Sequence, residues 1–189
     1  MENMITFNTC FDLHIGKFKK IVLDREHEVK LASAIGGLIN KRKELKKAPL
    51  SDIELNDYKK LFMQLAGDVV MEQYLDLDFV EYGNVTTRIN EPFINKILPG
   101  NKIDIATFSY GNFPLVYDKT YKKTIFICSK SKKEYYICGV GDPKMIDGFS
   151  KKDLVRSDYL RGKGKSAFYA FYNLKPVPNF LFDFHELIR

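Results

Sequence analysis

The sequence predicts a single α/β domain in which helices come first and strands follow. Helical periodicity starts at Asp24 and continues to Glu72, with one interruption near Pro49. After Leu77 the pattern changes to short apolar and β-branched runs that are typical of strands. A chain of 189 residues with 45% apolar residues can bury one core without support from disulfides or metals.

The first 50 residues are predicted to form an N-terminal arm and a helix, ahead of a core that spans residues 51–185. Residues 5–7 and 19–23 fit either short strands or an irregular arm. We therefore expect one domain over residues 1–189, with a helical N-terminal extension.

The first helix begins at Asp24 and carries one apolar face. Its apolar residues recur close to a seven-residue spacing: Leu31, Ile35, Leu38 and Leu45. Gly36 and Gly37 interrupt this face, which indicates a kink or a close helix contact. The basic residues 41–47 fit either a solvated helix end or a nucleic-acid patch.

A second helix is expected after Pro49. Ser51 and Glu54 form the pattern of a capping box, in which both side chains bond free backbone amides. Glu72 falls seven residues after Leu65 and therefore lies on the apolar stripe of this helix. Because an unpaired buried carboxylate is costly, Glu72 should reach solvent, pair with a base, or join a metal or catalytic cluster.

The second half of the chain carries seven strand-like runs after Leu77: residues 79–82, 85–89, 93–94, 102–108, 113–117, 124–128 and 134–140. Residues 129–133 are predicted to join the last two runs in a hairpin. Residues 142–154 indicate a loop followed by a short helix or turn, and residues 167–173 a further strand.

Residues 91–108 are predicted to form another hairpin, because Pro99 and Gly100 separate two apolar runs. Side chains alternate along a strand, so Lys102, Asp104 and Ala106 share one face. Asp104 then fits either the wet side of an ordinary edge strand or an acid held over a cleft.

The composition limits the classes of protein to which the chain can belong. The three cysteines form no C-x-x-C pattern, and the three histidines are scattered, which favours a reduced, cytoplasmic protein without a zinc site. We expect no export signal and no membrane span, since no run of about 18 apolar residues occurs. The net charge of +6 would attract a phosphate polymer if it were gathered on one face.

Gly67 followed by Glu72 at a helix end, the turn at Pro99 and Gly100, and a strand with Asp104 together resemble a known pattern. Residues 65–177 are similar to the compact members of the PD-(D/E)XK, or restriction-endonuclease-like, nuclease superfamily. The resemblance implies a restriction-endonuclease-like core with a mixed central β-sheet flanked by helices.

The resemblance also implies a phosphodiesterase site that binds Mg²⁺ or Mn²⁺. Glu72, Asn95 and Asp104 would hold the metal, with Asn95 where the pattern has an Asp and Ala106 where it has the catalytic Lys. These two departures leave three explanations open: engineered inactivation, natural loss of chemistry, or migration of the missing groups. In the last case Glu91 would supply the acid and Lys102 the amine.

We expect the partner to be nucleic acid, with DNA as the first candidate, and a homodimer is allowed. The predicted phosphate contacts are five basic residues of the second half: Lys122, Lys123, Arg161, Lys163 and Lys165. The leading hypothesis is a nuclease-like protein from a phage or a defence system. Its catalysis would be impaired because of the residues at positions 95 and 106. The alternative is a non-catalytic module that binds nucleic acid or protein on the same scaffold.

Overall fold

A computed structural model of the chain describes residues 5–86, 91–98, 102–117, 122–179 and 181–188. The α-helices of this part are α1 (Phe7–Phe11), α2 (Arg25–Lys46), α3 (Asp52–Leu75), α4 (Pro143–Gly148), α5 (Asp158–Gly162) and α6 (Leu181–Ile188). The strands are β1 (Lys19–Val22), β2 (Asp104–Ser109), β3 (Leu115–Tyr117), β4 (Thr124–Ser129), β5 (Glu134–Gly141), β6 (Ser150–Lys151) and β7 (Lys165–Phe168). Short 3₁₀ helices cover Asp12–Lys17, Tyr82–Asn84, Phe93–Ile97 and Phe171–Asn173.

The strands form two sheets. A mixed four-stranded sheet has the order β1-β5-β4-β2, in which β2 runs parallel to β4 and the other neighbours are antiparallel. A smaller antiparallel sheet has the order β3-β7-β6. The predicted α/β class, with a mixed sheet and flanking helices, is therefore confirmed, whereas a restriction-endonuclease-like core is a finer hypothesis than this architecture establishes.

The N-terminal segment is built into the sheet and the core. Strand β1 pairs with β5 from Lys19 opposite Ile137 to Val22 opposite Glu134. Residues 5–7 do not form the short strand that was one option, because Thr6 caps the start of α1. Phe11 is fully buried. The part before residue 50 thus contributes a strand and core residues as well as the predicted helix.

Helices α2 and α3 form an antiparallel pair, and the capping residues of α3 also bind the end of α2. The capping box of Ser51 and Glu54 is confirmed. The Glu54 carboxylate also accepts hydrogen bonds from Arg42 and Lys46 near the end of α2. The Arg42 guanidinium and the Ser51 amide hold the pKa of Glu54 well below its usual range. One carboxylate therefore ties the end of α2 to the start of α3.

Of the two options predicted for Gly36 and Gly37, a kink or a close helix contact, the close contact is wrong. Helix α2 continues through both residues, and a Cβ added to either would meet nothing within 4 Å. The close contact lies at Gly67 in α3 instead. A Cβ on Gly67 would lie 2.4 Å from Thr107 Oγ1 and 2.6 Å from Ile105 Cγ2, so α3 packs directly on the side chains of β2.

The two faces of β2 meet different cores. Ile105 and Thr107 face α3, and Ile105 packs against the larger aliphatic cluster. Ala106 and Phe108 pack against a second cluster, rich in aromatic rings, that α1 and the small sheet cover on the other side. By strand alternation Asp104 belongs to this second face.

Two hairpins were predicted, with different outcomes. The hairpin of β4 and β5 is confirmed, with residues 129–133 at its turn. The hairpin at residues 91–108 is wrong, because Phe93–Ile97 is a 3₁₀ helix and β2 pairs with β4. The proposed turn at Pro99 and Gly100 lies outside the described residues.

The predicted strand runs 102–108 and 113–117 overlap β2 and β3, but several other predicted runs are not strands. Residues 79–81 belong to neither sheet and lead into the 3₁₀ helix Tyr82–Asn84. Residues 87–89 of the next run lie outside the described part. The run at 167–173 is strand only through Phe168 and then turns into Phe171–Asn173.

Gly67→Ala should destabilise the fold by about 1–3 kcal/mol, because the new methyl must displace Thr107 or Ile105 from a packed contact. Gly37→Ala is the matched control, since its methyl meets open space in an exposed helix, and it should stabilise by up to about 1 kcal/mol. Urea unfolding followed by circular dichroism measures both. Equal stability for the two variants would contradict the close packing of α3 on β2.

Candidate nucleic-acid interface and the predicted metal site

Glu72 is buried, with 2% of its surface exposed, and its carboxylate holds a loop. Oε2 accepts hydrogen bonds from the backbone amides of Phe79 at 2.9 Å and Val80 at 2.5 Å. Oε1 accepts one from the Tyr82 hydroxyl at 3.0 Å. These donors come from the irregular segment that follows α3, so Glu72 supplies the hydrogen-bond acceptors that a strand partner would otherwise provide.

A half-buried histidine completes this network. His27 Nε2 lies 3.5 Å from Glu72 Oε1, and its Nδ1 lies 2.9 Å from Asp24, the cap of α2. Burial, together with the negative charge of Glu72, raises the pKa of Tyr82 far above its usual range. Of the three options predicted for Glu72, pairing with a base is the closest to this geometry, and the base is His27.

Asp68 lies one helical turn before Glu72 and is also buried, with 1% exposed. Its Oδ1 accepts a hydrogen bond from the Ile94 amide at 3.0 Å. Burial raises the pKa of Asp68 to about 7, against the lowering effect of the Ile94 and Phe93 amides. Asp68 therefore anchors the 3₁₀ helix Phe93–Ile97 as Glu72 anchors the loop before it.

Both polar atoms of the Asn95 side-chain amide form hydrogen bonds with the backbone of one residue. Its Nδ2 donates to the Ile103 carbonyl at 3.0 Å, and its Oδ1 accepts from the Ile103 amide at 2.9 Å. This pairing holds the chain just before β2, directly ahead of Asp104. The predicted role of Asn95 as a metal ligand would compete with this contact.

Glu91, Lys102 and Asn95 line one open cavity of about 340 Å³. Within it Lys102 and Glu91 form an ion pair at 2.7 Å, so the two groups suggested as migrated replacements neutralise each other. Asp104 pairs instead with Lys122 at 3.5 Å, and 49% of its side chain is exposed. Asp104 thus fits the solvated edge strand better than an acid buried over a cleft.

This geometry does not support the expectation that Glu72 and Asp104 lie close enough to hold one metal ion. Glu72 belongs to α3, which packs on the face of β2 that bears Ile105 and Thr107, whereas Asp104 and Ala106 lie on the opposite face. Across the described ranges, no three His, Cys, Asp or Glu side chains come together in a group that could hold a metal ion. The residues predicted for Mg²⁺ or Mn²⁺ do not fit a shared ion in this arrangement.

Three of the five predicted phosphate contacts already have protein partners, and the first of them, Lys122, pairs with Asp104. Lys123 donates to the backbone carbonyl of Leu187 at 3.0 Å, near the end of α6. Arg161 donates to the Val155 carbonyl and pairs with Asp158. The side chains of Lys123 and Arg161 contribute to the fold and have fewer donors left for a ligand.

Lys163 and Lys165 lie against exposed aromatic rings. Lys165 Nζ is 3.2 Å from the ring centroid of Tyr117, its partner across the β3–β7 pair. Lys163 Nζ is 5.6 Å from the ring centroid of Tyr159 in α5. Tyr117 is 62% exposed and Tyr159 is 72% exposed. We call these four residues the tyrosine–lysine surface.

The alternative patch at residues 41–47 is partly neutralised. Arg42 and Lys46 in that run pair with Glu54. A further lysine at the small sheet, Lys151, lies 5.7 Å from the ring centroid of Tyr169 and extends the same basic and aromatic character. The C-terminal half therefore offers the better candidate for a polyanion.

Sequence reasoning missed three residues that matter here. Asp68 falls seven residues after Leu61 on the same stripe as Glu72, so the period could have revealed it. The partnership of His27 with Glu72 joins distant segments and leaves no local signal. Tyr117 was assigned to a strand, but its exposure depends on which face the small sheet presents.

Asp68→Asn should flatten the dependence of stability on pH. The carboxyl titrates near 3.8 when unfolded and about 7 when folded, so its contribution is complete below about pH 4 and is lost as the pH rises through 7. Relative to Asp68→Asn, which keeps an oxygen for the Ile94 amide, the unaltered chain should lose on the order of a few kcal/mol over this range. Urea unfolding at several pH values measures the difference.

The control for that experiment is Asp57→Asn, which changes an exposed carboxylate on the same helix. It should leave the pH profile unaltered. If the profiles of the unaltered chain and Asp68→Asn run parallel, the Asp68 carboxyl does not titrate in this window.

Comparisons of the chain with protein-family models, with curated proteins and with solved structures find no match. Within the described residues, no helix combines the length and the apolar character that a membrane crossing requires. The resemblance to the PD-(D/E)XK superfamily therefore rests on sequence motifs alone, among them Gly67 to Glu72, Asn95, the turn at Pro99 and Gly100, and Asp104.

Proposed function

We propose that the chain binds nucleic acid through the tyrosine–lysine surface and does not hydrolyse it. The observation that carries this proposal is the continuous run from α5 to β7, in which Lys163 and Lys165 each lie against an exposed tyrosine. Ammonium groups bind phosphates, and adjacent aromatic rings offer apolar contact to sugars or bases. The net charge of +6 favours the same class of partner.

A nuclease-like ancestry is part of the proposal, and loss of chemistry is the explanation that we favour for Asn95 and Ala106. Glu72 and Asn95, which the superfamily pattern would assign to the metal, bond the backbone at Val80 and at Ile103. Recruiting either residue to an ion would release a segment that it holds. The chain is then a non-catalytic binding protein on an altered nuclease scaffold.

We also propose a cytoplasmic location and DNA as the first partner to test. The location rests on the three cysteines, which are free thiols, two of them buried on neighbouring strands β4 and β5. Burial raises the pKa of Cys128 to about 12, so this thiol is protonated and unreactive at neutral pH.

Lys163→Ala combined with Lys165→Ala should weaken DNA binding about equally for unrelated sequences. Each lost phosphate contact should lower the slope of log K against log salt by about 1, so the pair should lower it by about 1–2 units. Fluorescence anisotropy titrations over a series of salt concentrations measure the slope.

The matched control removes two exposed lysines from α3, Lys59→Ala with Lys60→Ala, and so makes the same change in net charge. Its slope should equal that of the unaltered chain. An unchanged slope in the Lys163 and Lys165 variant, with a lowered slope after Lys41→Ala and Lys43→Ala, would assign binding to the end of α2.

Restoring the superfamily residues should not restore cleavage. Ala106→Lys would place an ammonium group in the aromatic cluster, and Asn95→Asp would lose the donor to the Ile103 carbonyl. We expect the double variant to melt at a lower temperature and to nick plasmid DNA with Mg²⁺ or Mn²⁺ no faster than a chelated control. Divalent-dependent nicking by the double variant or by the unaltered chain would show that the non-catalytic proposal is wrong.

A further inference from the structure

We infer that the tyrosine–lysine surface selects single-stranded nucleic acid by stacking unpaired bases on Tyr117 and Tyr159. The inference rests on the proposed function and adds to it the form of nucleic acid that is bound. It starts from exposure, because Tyr117 and Tyr159 are both more than half exposed although a lysine ammonium lies over each ring, so a base would stack on the ring face opposite the lysine. Buried sheet tyrosines such as Tyr135 show that other rings of this fold are packed.

The two ring–lysine pairs are close along the chain. Lys163 lies beside Tyr159 and Lys165 lies beside Tyr117, and only Gly164 separates the two lysines. Two residues along a chain are at most about 7.6 Å apart between Cα atoms. The two ring–lysine pairs are therefore adjacent along the chain, and we propose that they bind successive nucleotides of one single strand.

The pairing of rings with lysines suits a single strand better than a duplex. In a duplex each base is covered by its neighbours, so only phosphates and groove edges reach a protein surface. In a single strand the faces of bases are free to stack on tyrosine, while neighbouring phosphates meet the ammonium groups. Every base has such a face, so the surface should bind with little sequence preference.

The backbone at the surface supports this use. Tyr117 and Lys165 are direct partners in the β3–β7 pair, so the sheet fixes the spacing of ring and amine before any ligand arrives. Tyr159 belongs to α5, whose start is capped by the Ser157 side chain and whose end leads into β7 through Gly164 at a positive φ of 71°. Both rings are therefore held by regular elements.

The test compares three ligands with the same number of phosphates per strand: a mixed-sequence single strand of about 12 nucleotides, the same strand without bases, and the duplex. Anisotropy titrations of the full chain should rank the single strand tightest, at least roughly fivefold above the strand without bases for each stacked ring. Tyr117→Leu with Tyr159→Leu should abolish this preference and leave the salt slope unaltered.

Two control variants separate stacking from a general disturbance. Tyr117→Phe with Tyr159→Phe keeps both rings and should keep the preference. Tyr172→Leu removes an exposed tyrosine whose ring contacts are His14 and Phe149, and it should change nothing. Because the chain has no tryptophan, quenching of tyrosine fluorescence by the single strand provides a second readout.

The outcomes distinguish the inference from the function on which it rests. Equal affinity for the strands with and without bases, tighter binding of the duplex, or a preference that survives the Leu variants would overturn base stacking while salt-dependent binding stands. Absence of salt-dependent binding to all three ligands would overturn the proposed function itself.

Discussion

Two buried carboxylates on one face of α3 determine where the middle of the chain can lie. Glu72 accepts hydrogen bonds from Phe79 and Val80, and Asp68 accepts one from Ile94, so successive irregular segments are bound to the same helix. Without these acceptors, the buried amides would have no partner, which costs more than an ordinary hydrogen bond contributes. The position of the chain entering β2 follows from them, because Asn95 comes directly after Ile94 and binds Ile103.

This constraint explains why a chain can carry nuclease-like motifs without forming a nuclease active site. An acid on a helix and an acid on a strand can flank a metal only if the helix packs on the face of the strand where the second acid lies. Here α3 packs on the face of Ile105 and Thr107, and the absence of a side chain at Gly67 allows the close approach. Asp104 projects from the other face, toward solvent and Lys122. The same residue types are present, but the packing separates them.

Local signals predicted the parts of the fold that local physics controls. The cap at Ser51 and Glu54 was predictable because its partners are three residues apart, and the hairpin of β4 and β5 because its turn is short. The 3₁₀ helix Phe93–Ile97 was not, since its apolar residues look like a strand and its conformation depends on Asp68, far earlier in the chain. The candidate site was predictable in composition only: which lysines stay available depends on partners such as Leu187, which tertiary structure alone supplies.

The pairing of β1 with β5 has a consequence for the order in which the chain folds. The whole helical hairpin of α2 and α3, together with β2 and β4, is made between these two neighbouring strands. During synthesis the helical hairpin can form from contacts close in sequence, whereas β1 must wait for β5 to leave the ribosome. Until then Phe7 and Phe11, which later stack in the aromatic cluster, remain uncovered on the nascent chain. The segment from α1 to β1 is thus synthesised before the rest of the sheet and is among the last parts of the fold to reach its native position.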